Sequence, residues 1–118
     1  MRLPGGTALH MAGAFVLMGG WALWANRAAP GGAQAMAGVT QGVLSALLTA
    51  GLKSVVDRLV PRLGRLMAPA LALAGSATLL VTAHMVAGTP ALMATIAVPL
   101  AVSGTYVFAY ATLSGRVR

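Results

Sequence analysis

The chain has 118 residues, of which 58% are hydrophobic and 8% charged, with eight basic residues against a single acid and a net charge of +7. A soluble domain carries about a quarter charged residues, so this composition does not supply a water-facing surface. With no cysteine and only Asp57 as an acid, disulfides, thiolate metal sites, carboxylate-pair catalysis and all-carboxylate metal cages are excluded within the chain.

Four apolar runs follow one another, each near the roughly 20 residues that cross a hydrocarbon core. The first is expected at about 8–25 and carries His10, Phe15, Trp21 and Trp24. Asn26, Arg27 and the turn-forming Pro30-Gly31-Gly32 close it. Arg2 before this run gives it some likeness to a signal peptide. Its length and the two tryptophans near its end argue for a retained span with an aromatic belt.

The second run, at about 33–52, carries two patterns. Gly38, Gly42, Ala46 and Ala50 recur every four residues as a small-residue ridge for close helix packing. The first reading of that ridge is a neighbour in the same chain, and the second is a dimer partner. Beside it lie Gln34, Gln41, Ser45, Thr49 and Lys53, a polar stripe along one helical face. Polar groups in hydrocarbon need partners, so the stripe is either an interhelical hydrogen-bonding seam or a substrate path.

Lys53 to Arg65 is the charge-dense segment. It is expected to be an amphipathic elbow interrupted at Pro61, with Val55, Val56, Leu59, Val60, Leu63 and Leu66 facing lipid. Lys53 and Asp57 have pairing distance four, in the weaker order. Arg58, Arg62 and Arg65 are placed on anionic headgroups.

The third run, at about 67–87, carries His84, an intramembrane ionisable residue and so a functional candidate by default. His10 and His84 fall near opposite leaflets, so no single haem or metal is expected to bridge them within one protomer. Gly88-Thr89-Pro90 makes a tight turn into the fourth run, at about 91–113. There Thr95, Pro99, Ser103, Tyr106 and Tyr110 share roughly one face, and Pro99 is expected to kink the helix. The tyrosines read first as an interfacial belt.

The predicted architecture is therefore an all-α integral membrane bundle of four transmembrane helices, residues 1–118 forming one domain. Arg2, Lys53, Arg58, Arg62, Arg65, Arg116 and Arg118 fall on one side and Arg27 alone on the other. The positive-inside rule puts both termini and the elbow in the cytoplasm. The alanine and glycine content suggests a bacterial cytoplasmic (inner) membrane. In size and span count the chain resembles the small multidrug transporters, but those rely on a glutamate in the first span and none is present.

No nucleophile–base pair, phosphate loop or zinc motif occurs. The expectation is a non-enzyme without a cofactor or nucleic-acid partner. The expected role is transport, or lipid and headgroup handling, by a homo-oligomer. The alternative is a non-catalytic accessory or assembly subunit of a larger membrane protein complex.

Overall fold

The computed structural model describes residues 5–117, with the side chains of 6–113. Among the described residues every regular element is helical: α1 (Gly5–Ala25), α2 (Gly31–Ala87) and α3 (Leu92–Val117). Each is long and apolar enough to cross a membrane. Arg2 and Arg118 of the predicted charge bias lie outside the described residues, as does the side chain of Arg116.

Three elements stand where four separate helices are expected. The two middle runs and the elbow form one element of 57 residues. It is nonetheless two arms, because Gly64 leaves the helical region at φ 89°, ψ 175°. That conformation is essentially open to glycine alone. The break is therefore at Gly64 and not at Pro61. Pro61 removes the N–H that would bond the Asp57 carbonyl, yet the helix continues through it. Reversing the chain within one residue needs a positive φ. Every residue from 61 to 67 is exposed, so the elbow protrudes.

The arm at 31–63 is about 50 Å long at 1.5 Å per residue. It matches the long dimension of the molecule, 50 Å. α1 packs antiparallel against its first half through glycines. A Cβ on Gly19 would sit 3.1 Å from the Gly38 carbonyl, and one on Gly42 would sit 3.0 Å from the Phe15 ring. A Cβ on Gly38 would come closer still, 2.6 Å from the Leu23 side chain. The ridge thus meets a neighbour of the same chain through Gly38 and Gly42, while Ala46 and Ala50 are only half-buried.

Two apolar clusters hold the rest. Leu44, Leu80 and Ile96 join both arms of α2 to α3. Leu52, Val56, Ala72, Val107 and Ala111 do the same nearer the elbow. Val56 is fully buried and Val60 packs on this cluster. These two residues face α3, correcting their expected place toward lipid, because the elbow face is divided between a protein side and an open side. At the other end α2 stops at Gly88, whose left-handed φ of 74° turns the chain toward α3. α3 is one continuous helix through the buried Pro99.

Candidate functional site

The connections at 26–30 and 88–91 gather at one end of the bundle, here the loop end; Gly64 marks the elbow end. At the loop end the fully buried His84 is held on both ring nitrogens. Nε2 lies 2.8 Å from Gln41 Oε1, and Nδ1 lies 2.6 Å from Thr89 Oγ1. The Gln41 amide donates to Ser45 Oγ at 2.7 Å. Gln41 Oε1 can only accept, so Nε2 carries the proton in the neutral ring and Nδ1 accepts from the Thr89 hydroxyl. The chain Thr89–His84–Gln41–Ser45 is thereby satisfied end to end.

A second knot ties α1 to α3. Asn26, almost fully buried, donates to Thr95 Oγ1 at 2.7 Å, and Thr95 donates to the Ala91 carbonyl at 2.6 Å. The Ala91 N–H returns to Asn26 Oδ1 at 2.9 Å, closing the ring. Trp21 Nε1 donates to the Ala94 carbonyl, and Gln34 donates to the Leu23 carbonyl. Arg27 lies over the Trp24 ring at 3.7 Å. Among the described residues no buried side-chain nitrogen or oxygen lacks a partner.

The predicted polar stripe is therefore divided. Gln41 and Ser45 belong to the His84 chain, Gln34 holds α1, and Lys53 pairs with Asp57 at 3.3 Å. Thr49 is half-buried between them. Leu44, Leu48, Leu52 and Leu80 fill the interior below Gln41. Polar groups thus run from the loop end to mid-helix and stop.

At the elbow end Tyr110 donates to Asp57 Oδ1 at 2.5 Å, and Tyr106 stacks on Tyr110 at 5.9 Å. The same carboxylate meets Lys53, so this cluster fastens the first arm to α3. On the other side the two arms diverge around an open cleft of about 320 Å³. Leu47, Gly51, Val55 and Leu59 line it from the first arm, and Leu71, Gly75, Ser76 and Leu79 from the second. A Cβ on Gly51 or Gly75 would meet nothing within 4 Å, so both glycines leave space open.

Leu47, Gly51, Val55, Arg58 and Arg62 follow at helical spacings of four, four, three and four. They lie on one face, apolar in the cleft and cationic beyond it. Gly51 to Arg62 covers about 16 Å of helix axis. Arg58, Arg62 and Arg65 are all exposed. Lys53 and Asp57 lie round the helix, against Tyr110.

No family model, curated protein or solved structure matches this chain. The site therefore stands on its own geometry.

Several of the predicted residues meet. Gln41, Ser45 and His84 converge, as do Lys53 and Tyr110, and Arg58 and Arg62 share the cleft face. His10, exposed on α1, remains separate from His84. Asn26 and Thr89 carry contacts that sequence reasoning assigned only to turns. An asparagine after an apolar run gives the sole local signal, and its partners Ala91 and Thr95 are distant in sequence. Among the described residues no three His, Cys, Asp or Glu side chains cluster to hold a metal ion.

Proposed function

We propose that this chain is a multi-pass membrane protein crossing the bilayer four times, with the elbow and both termini on the cytoplasmic side. We propose further that it handles membrane lipid in the cleft between the arms of α2. Four crossings follow if each arm of α2 is one span. The first arm, about 50 Å long, exceeds a hydrocarbon core of about 30 Å. That surplus supports a headgroup position for Arg58 and Arg62. The positive-inside bias sets the direction.

The observation that carries lipid handling is the apolar cleft running into the arginine-bearing end of the same helical face. An acyl chain suits a groove open to the side and lined by leucine, valine and glycine. Lipid holding is favoured over conduction, because the buried polar chain ends at Ser45 above packed leucines. Gly38 and Gly42 face α1, so the accessory reading loses its expected span-two interface.

The test is native mass spectrometry of the protein released from polymer discs cut directly from its membrane. The wild type is expected to carry about one retained lipid per protomer. Gly51→Leu with Gly75→Leu, whose added Cβ atoms meet nothing within 4 Å and whose side chains take up the cleft, is expected to lose it. A wild type released bare, or a filled variant retaining lipid at the wild-type level, rejects the reading.

A further inference from the structure

Resting on that reading, we infer that the lipid in the cleft is an anionic phospholipid, with one acyl chain between the arms and its phosphate on Arg58 and Arg62, Arg65 adding charge from beyond Gly64. Three facts bear on the headgroup. Arg58 and Arg62 are four residues apart, one helical turn, so both guanidinium groups project toward one headgroup position. Both lie on the face that lines the cleft, about 11 and 16 Å along the axis from Gly51. A phospholipid spans that same distance from upper acyl chain to phosphate.

The third fact is the placing of the only acid. Asp57 takes the Tyr110 hydroxyl at 2.5 Å and Lys53 at 3.3 Å on the flank facing α3. The carboxylate that would repel an anion is thus directed away from the cleft mouth. A guanidinium binds phosphate through paired N–H donors, a geometry a lysine does not reproduce. A zwitterionic headgroup brings its own cation to the same spot and loses part of this attraction against the three arginines. The cleft mouth therefore selects by net charge, and the cleft itself selects only for an acyl chain.

The experiment reconstitutes the purified full chain in discs of equal parts phosphatidylglycerol and phosphatidylcholine, and identifies the lipid retained on release. The wild type is expected to prefer the anionic lipid by about tenfold, since both lipids offer the phosphate and only the zwitterionic one sets a cation beside the arginines. Arg58→Gln with Arg62→Gln is expected to bring the ratio close to one while a lipid is still retained. Lys53→Gln removes a charge from the same stretch of helix but another face, and is expected to leave the ratio near the wild-type value.

Retention without preference in the wild type overturns the anionic assignment while the lipid-holding cleft stands. An equal loss of preference in the Lys53 variant also overturns it, since the selectivity would then be diffuse surface charge. Retention that persists after Gly51 and Gly75 are both changed to leucine locates the lipid elsewhere and overturns the cleft reading itself.

Discussion

At the loop end, Asn26, Gln41, Ser45, His84 and Thr95 are buried and every one is hydrogen-bonded within the chain. At the elbow end, Arg58, Arg62 and Arg65 stand exposed beside an apolar cleft. On the proposed membrane placement, the difference follows from solvent. A polar group inside hydrocarbon has no water to fall back on, so it is paired or it destabilises the fold. Charged groups at a headgroup interface can use phosphate and water, so the fold does not have to supply partners. On the proposed reading, polar side chains at the loop end report packing, and the arginines at the elbow report recognition. The residue types alone would suggest the reverse, with a buried histidine and glutamine marking the site.

The strongest test of the loop end is the helix contact that sets it. Gly19→Leu is expected to destabilise by about 3 kcal/mol, the upper range for overpacking, because its Cβ would already sit 3.1 Å from the rigid Gly38 carbonyl. Reversible unfolding in bicelles measures it. A loss under half that size would mean that α1 slides easily, and the loop end would not be the fixed half of the molecule.

Next in size is the His84 chain. Gln41→Leu leaves the imidazole Nε2–H and the Ser45 hydroxyl without Gln41, for an expected cost of about 2 kcal/mol. Combining it with His84→Leu is expected to cost less than the sum of the two single changes, since the double variant removes both members of the buried bond. Strict additivity would show that Gln41 and His84 act independently, contrary to their 2.8 Å contact. Asn26→Ala is expected to cost about 1.5 kcal/mol, because it removes the bond to Thr95 and leaves the Ala91 N–H without its acceptor. Its readout is the same unfolding midpoint, and no change there would show that the Asn26 ring does not hold α1 to α3.

These contacts also show what the sequence carries. The limits of the apolar runs are legible because crossing hydrocarbon demands length and apolarity, and α1 and α3 end within a few residues of expectation. The glycine ridge is legible because a four-residue spacing fixes a face, although the spacing does not say that Leu23 and Phe15 cover it. The Gln41–His84 bond is not legible, since 43 residues separate the two and only the packing of both α2 arms joins them. Gly64 was hidden behind Pro61: proline is the stronger local breaker, but reversal needed a backbone conformation that only glycine reaches. Of the candidate site, the arginines were visible in sequence and the cleft was not, because a cleft is the space between two elements.

The smallest expected effect on stability decides whether the contrast between the ends is real. Arg58→Gln with Arg62→Gln removes two exposed charges that the packing of α2 and α3 does not use, and exposed surface changes usually fall within about 0.5 kcal/mol. The unfolding midpoint in a zwitterionic bicelle should therefore stay at the wild-type value. In an anionic bicelle the wild type alone should gain stability, because a lipid that binds only the folded state stabilises it by mass action. A loss in the zwitterionic bicelle as large as that of Asn26→Ala would make the arginines part of the fold, and the two ends would then differ only in depth. An unchanged midpoint there, together with a gain confined to the wild type in anionic lipid, assigns the arginines to a ligand from outside the chain.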